Sequence, residues 1–332
     1  MDDRRSATIR MIGRSSRGVH AHAVNARPLK ICKTMSLEDA FRVTLLECLA
    51  HVAANVAPVA RSREIEGLHQ LRVGLRRLAV AFQAFGEEFR DPAQRALQER
   101  AKTFGAAIAP ARDLDVFAEE LFAPAAKAAS RETGFALLRR RLERARAEAW
   151  ERAVECISST GFAVFVDDVA VAAQSRAWAA SEQTDFKMRI AMRAPVGSAA
   201  AKMLDEFLVK ALARGHRLNG LEQRDCHRLR IALKKLRYAA EFYRPLFKKK
   251  KAKSYLGRLK DLQDLLGALN DAGHVRATLA QITAGGRRSD EETDLFFAAG
   301  HINGWHSARA ARLGREALRD WDKFKRAEPF WA

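Results

Sequence analysis

An all-α protein is expected from three features of this 332-residue sequence. Leu, Ala, Arg, Glu and Lys, the strong helix formers, dominate after Met35. Alternating Val/Ile/Thr strand patterns are almost absent, and the few prolines fall at breaks between periodic segments.

Each element has a local reason. Residues 1–34 are expected to form a basic, poorly ordered segment, with Met35 as an alternative start. The first helix opens at Ser36, a hydroxyl N-cap followed by Glu38 and Asp39, whose charges suit the positive end of the helix. It is expected to end near Pro58. A second helix is predicted from about Glu64 to Phe89, and Asp91-Pro92, a cap followed by a preset φ, starts the next towards Ala109. Then come a helix near 113–122, a long charged helix over 133–158 and a more apolar one over 163–178. The stretch SEQTDFKMRIAMRAPVGSAA loses periodicity, contains Pro195 and Gly197, and is read as a connection between two halves, 35–193 and 194–332. Helices are expected again over 199–215, 223–247 and 254–269. The run Lys248 to Lys253 is read as a mobile loop, Gly285-Gly286-Arg287-Arg288 as another, and the last helix as spanning 290–325.

The formal charge is +19 and the pI near 10.3. A field of that sign holds anions near the surface and penalises cationic partners, so a polyanion is the expected partner: nucleic acid, an acidic membrane surface or a polyphosphate. Cys32, Cys48, Cys156 and Cys226 lie far apart, without the short spacing of a zinc or redox motif, and read as reduced thiols of a cytoplasmic protein. No apolar run is read as approaching the roughly 20 residues that cross a bilayer. The most apolar stretch, GFAVFVDDVAVAA, is broken by Asp167 and Asp168, so no membrane partner is expected. The N-terminus lacks the apolar core of a signal peptide, and Asp2 and Asp3 argue against a transit peptide.

Two phrases stand out, HQLRVGLRRL at His69–Leu78 and HRLRIALKKLRY at His227–Tyr238. They are displaced by 158 residues, and that offset also matches Arg100 with Arg258, Lys102 with Lys260 and Asp113 with Asp271. One gapless offset across a phrase, a loop and the next helix points to a duplicated helical unit, one bundle per copy.

At about 100° per residue from His69, Arg72 falls near 300° and Arg76 near 340°, while Leu71, Leu75, Leu78 and Phe82 gather between about 180° and 240°. His227, Arg230 and Lys234 repeat the cationic stripe, with Arg237 and Tyr238 widening it and Leu229, Leu233 and Leu236 opposite. A solvated helix face gains from interspersed acids, yet the first stripe has none between His69 and Gln83, and the second has only Glu241 at its far end. Stacked like charges without counter-charges suggest an absent anion. By contrast, RRRLERARAEAWERAVE can neutralise itself and is assigned to solvent. Lys210, Arg214 and Arg217 form a second stripe read as free of local acids, a secondary anion contact. His69 and His227 admit two readings: protonation coupled to an arriving anion, or a neutral ring donating a hydrogen bond to a neighbour.

These phrases, with RDLDV at 112–116, LKDLQDLLGALND at 259–271 and the GWHSARA near the C-terminus, resemble the CHAD family, the conserved histidine α-helical domain. The resemblance covers roughly Met35 to Trp331. It implies two four-helix bundles related by a pseudo-twofold axis, a basic central groove that binds inorganic polyphosphate, and no catalysis. The implied polyphosphate contacts are His69, Arg72, Arg76 and Arg77, with His227, Arg230, Lys234, Lys235 and Arg237 in the second copy. Lys102, Arg112, Lys202, Lys210, Arg214, Arg217 and Lys260 are secondary. Ala79 departs from the pattern, because the family often has there the arginine that Arg237 supplies. Many relatives carry an N-terminal triphosphate tunnel barrel; SSRGVHAHAVNARPLKICKTMSLEDAF resembles the junction after one, but no Glu-x-Glu-x-Lys stretch or run of strands provides the barrel.

The resulting expectation is a non-catalytic polyphosphate-binding module without cofactor or metal. It would be associated with polyphosphate granules or with a separately encoded polyphosphate or triphosphate enzyme. A nucleic-acid binder is the first alternative, weakened by the absence of a reading motif and by only three tyrosines for stacking. A metal-dependent phosphohydrolase using Asp113, Asp115 or Asp271 is the second, since magnesium on phosphates needs only one or two carboxylates.

Overall fold

The computed structural model describes residues 22–86, 89, 91–129, 133–180, 186–284 and 290–332, and the Gly285–Arg288 loop expectation lies outside them. Among the described residues the protein is all-helical, with a lone antiparallel bridge between Ser36 and Pro195.

Helix α1 is Leu37–Ala54. Ser36 caps it as expected, accepting from the Asp39 amide at 3.0 Å and donating to Asp39 Oδ2 at 2.7 Å. The helix stops at Asn55 rather than at Pro58. Pro58 lies in the first turn of a separate helix, α2 (Val56–Ser62), where a missing N–H costs nothing. Helix α3 (Ile65–Ala84) carries the first cationic phrase, and α4 (Pro92–Ala107) begins at the Asp91 cap. Next, α5 (Ala109–Val116) passes into a π-helical turn (Phe117–Phe122) and α6 (Ala123–Ala129). Then follow α7 (Thr133–Ser158), α8 (Thr160–Ser175, capped by Ser159) and a 3-10 turn at Ala177–Ala180.

Part of the stretch read as a connection is a helix, α9 (Phe186–Arg193), directly followed by α10 (Val196–Gly215). Helix α11 (Gln223–Tyr243) carries the second phrase. Helix α12 (Lys249–Thr283) is longer at both ends than expected, and absorbs the lysine run read as a loop. Lys and Ala are good helix formers, and the fully buried Ala252 and nearly buried Tyr255 anchor this first turn against the core. Helix α13 (Asp290–Phe324) closes the chain.

Residues 22–34 are docked rather than loose. Leu29 and Ile31 are buried, the Val24 backbone exchanges hydrogen bonds with the Asn55 side chain, and Gly197 N–H donates to the Lys33 carbonyl.

The main core is continuous across both halves of the sequence. Phe41 lies with its ring centroid 4.6 Å from Phe89 and 4.8 Å from Trp178, while Phe85 meets Tyr243 at 5.2 Å. The Tyr243 hydroxyl donates to the Ala84 carbonyl, fastening α11 to the end of α3. A second core joins Phe122, Phe135 and Leu138 of the first half to Leu279, Leu295 and Ile302 of the second.

The expectation about apolar runs needs correction. The stretch 37–62 is long and apolar enough to cross a membrane by length and composition, and 56% of its most apolar window is buried inside the protein. Phe41, Leu45 and Val52, which make it apolar, are fully buried.

Candidate anion-binding cleft

Helices α3 and α11 pack on each other, and their polar stripes open into one cleft of about 980 Å³. Helices α4, α5, α7 and α12 supply the remaining walls. The lining holds eight Lys and Arg residues (Arg72, Arg76, Lys102, Arg112, Arg152, Arg230, Lys234, Lys235) and three histidines (His69, His227, His274). Three acids face them, Asp113, Glu148 and Asp271. Both repeated phrases therefore reach the same space, because the apolar positions of each helix turn into the core and leave the cations on the remaining face.

The cations differ in how they are compensated. Arg72 donates from Nη1 to Asp113 Oδ1 at 2.8 Å and to the Ala109 carbonyl at 3.4 Å. Lys102 pairs with Glu99 at 2.6 Å, and Arg112 stands 4.0 Å from Glu120. Arg76, Arg230 and Lys234 make no ion pair within 4.0 Å and no side-chain hydrogen bond among the described residues, and the buried Nε of Arg230 meets no acceptor. Burial pushes the Arg230 guanidinium below its ordinary value, partly opposed by Asp271. Lys234 responds more strongly: burial first, then Arg76, Arg230 and Arg72, lower it to about 6. A cleft that suppresses the charge of its own lysine is electrostatically unsatisfied.

The histidines differ. His69 is half-buried, and burial, then Arg112, lower its pKa, disfavouring the charged ring. His227 is exposed and holds Nδ1 3.0 Å from the Asn270 side-chain carbonyl, an acceptor, so this nitrogen donates. His274 Nδ1 donates in turn to the Asn270 backbone carbonyl at 2.6 Å.

Several expected contacts lie elsewhere. Arg77 is buried and leaves the cleft to pair with Glu241 at 2.5 Å, its guanidinium 5.0 Å from the centre of the Phe242 ring. Arg237 shares Glu241 at 3.5 Å and stacks on Tyr238, itself a core residue rather than part of the stripe. Arg77 thereby links α3 to α11 through a carboxylate it shares with Arg237. Lys202, Lys210, Arg214 and Arg217 are exposed outside the cleft, and Lys210 has an acid one turn before it, Glu206 at 3.9 Å. Lys260 is engaged by Asp264 at 2.9 Å, also outside.

Arg152 and Glu148, on the helix assigned to solvent, line the cleft. Their i,i+4 spacing of opposite charges in the sequence disguised them, although Glu148 pairs with Arg144 at 3.1 Å, and no sequence signal separates them from their neighbours. The same helix buries Arg146 against Asp115. Asp115 is fully buried and accepts from Arg146 at 2.9 Å and from Trp150 Nε1 at 3.1 Å, so its role is structural rather than that of a metal ligand. Among the described residues no three His, Cys, Asp or Glu side chains converge as a metal site.

Comparison with known proteins agrees with the all-helical fold. A family model described as the CHAD domain matches residues 44–280. The crystal structure of the CHAD domain from the plant Ricinus communis is similar at 25% identity, with a TM-score of 0.74, covering 90% of this chain and 96% of that one. PptA from Streptomyces chartreusis shares the fold at 17% identity and a TM-score of 0.63, over 89% of this chain and 100% of its own. No curated protein matches the chain.

Proposed function

The chain belongs to the CHAD family, and on that premise we propose that it binds inorganic polyphosphate in the cleft between α3 and α11 without transforming it. One observation carries this reading: Arg76, Arg230 and Lys234 share the cleft without an ion pair or hydrogen bond of their own. Crowded, partly buried cations raise the free energy of the empty protein, and a linear polyanion threaded past them removes that penalty. Arg offers a planar fork and Lys a compact charge, both suited to phosphate oxygens and indifferent to sequence. The same binding would place the protein on polyphosphate granules, or let it present polyphosphate to a separately encoded polyphosphate or triphosphate enzyme.

The test is calorimetric titration with long-chain polyphosphate at near-physiological salt, using single-stranded DNA of matched charge as competitor. The triple variant Arg76→Ala/Arg230→Ala/Lys234→Ala should bind at least about tenfold more weakly, since hydrogen bonds to charged groups are worth about 1.5–3 kcal/mol each. Equal affinity for DNA, or an unaffected variant, refutes the proposal. Shortening of the polyphosphate by the protein with magnesium would instead mark a hydrolase.

A further inference from the structure

We propose that this cleft binds its anion together with a proton, taken up at Lys234. The inference deepens the polyphosphate reading and rests on it. Its basis is where Lys234 sits. The side chain is half-buried in the wall of the cleft, on α11, which also brings His227, Arg230 and Lys235 to the same space. Arg72, Arg76 and His69 face the same space from α3. Lys102 faces it from α4, Arg112 and Asp113 from α5, Glu148 and Arg152 from α7, and Asp271 with His274 from α12.

Of the three acids, Asp113 is already engaged by Arg72. Asp271 is the carboxylate that favours the charged lysine, and three guanidiniums outweigh it. The empty cleft therefore holds Lys234 mostly as the amine at neutral pH, consistent with a titration near 6.

A phosphate chain reverses this balance. Its oxygens neutralise Arg72, Arg76 and Arg230 and accept a hydrogen bond from the ammonium, so Lys234 moves back towards its ordinary range. Solvent supplies the proton and no bond to phosphorus changes. At pH 7.5 a lysine titrating near 6 when empty and fully charged when bound takes up close to one proton per complex. Half-buried His69, next to the same guanidiniums, adds a further fraction. The sign follows: affinity falls as pH rises from about 6.5 to 9, by up to about tenfold per pH unit for each proton linked. The effect also selects among anions, since a dense phosphate chain recharges Lys234 more fully than a sparser diester backbone.

The experiment titrates the full chain with long-chain polyphosphate at pH 7.5 in buffers of different ionisation enthalpy, from which the protons taken up are read. Uptake of about one proton or more is expected. It should fall by about one in Lys234→Met, which keeps the stem in the cleft wall, and by the same amount in Lys234→Arg, which stays charged. In parallel, the side-chain carbon resonance of Lys234 is followed against pH in the unliganded protein, where a midpoint near 6 to 7 is expected. Binding without proton uptake, or undiminished uptake in both variants, overturns the proposal and leaves polyphosphate binding standing. Absence of any binding refutes the polyphosphate reading, and a free Lys234 that titrates near 10 overturns proton coupling whatever the cleft binds.

Discussion

Arg76 and Arg77 are adjacent in sequence and opposite in consequence. Arg77→Ala removes a guanidinium whose side chain is only 8% exposed, paired at 2.5 Å with Glu241 and lying over Phe242. Removing one partner of a buried ion pair costs about 3–5 kcal/mol. Glu241 keeps Arg237 at 3.5 Å and about a third of its surface in water, which brings the loss below that range, to about 2–3 kcal/mol. The lost contact with the Phe242 ring adds about 1 kcal/mol. The expected total of about 3–4 kcal/mol is read by equilibrium urea denaturation as a lower midpoint at constant slope. Below the transition, polyphosphate affinity should stay within about twofold of the parent, because Arg77 does not line the cleft. Arg76→Ala should do the reverse: it removes no pair, relieves repulsion on Lys234, leaves stability unchanged or slightly raised, and weakens binding by about tenfold or more. If Arg77→Ala folds as stably as the parent and loses affinity as Arg76→Ala does, the division between scaffold and site arginines is wrong.

Three further outcomes are expected. Asp115→Asn should lower stability by about 1–2 kcal/mol, seen in thermal or urea unfolding, because Arg146 loses its fully buried counter-charge but keeps Glu143 at 2.9 Å, while polyphosphate affinity is retained. Gly215→Ala places a Cβ 1.8 Å from Cζ2 of the buried Trp321, and should cost about 3 kcal/mol with a shift in tryptophan emission. Lys234→Met should stabilise the unliganded protein in a pH-dependent way. Between pH 6 and 10.5 the unfolded chain holds a proton on Lys234 that the folded chain lacks, so parental stability rises with pH through this window. The advantage of the variant is then largest near pH 6 and shrinks by about 1 kcal/mol per unit towards pH 9, measurable as paired urea midpoints at low salt.

Much of the fold was legible because helix periodicity and caps are local. Ser36, Asp91-Pro92 and the 133–158 charge pattern each mark a boundary that the structure places at or within a residue or two of the expected position. Boundaries failed where packing decides. Pro58 breaks nothing because it sits in a first turn, and residues 249–253 of the lysine run are helical because Ala252 and Tyr255 reach the core. In the cleft, the stripe of His69, Arg72 and Arg76 with His227, Arg230 and Lys234 was legible as repeated like charge without acids. Arg77 was not a stripe residue by angle, and it was the family resemblance that added it; the acid that captures it, Glu241, lies 164 residues away. Arg152 was invisible because its own turn supplies Glu148, and only the fold brings that helix to the cleft wall.

The second core has a consequence for the protein's birth. Phe122, Phe135 and Leu138 are made early, but their partners Leu279, Leu295 and Ile302 lie about 160 residues downstream. At a synthesis rate of about 5–20 residues per second, a sticky face stays open on the ribosome for about 8–30 s. The nascent chain therefore passes through a stage in which its first half is complete in sequence yet lacks its lid. A chaperone that covers aromatic surface is expected to engage it during that interval and to let go once α13 emerges.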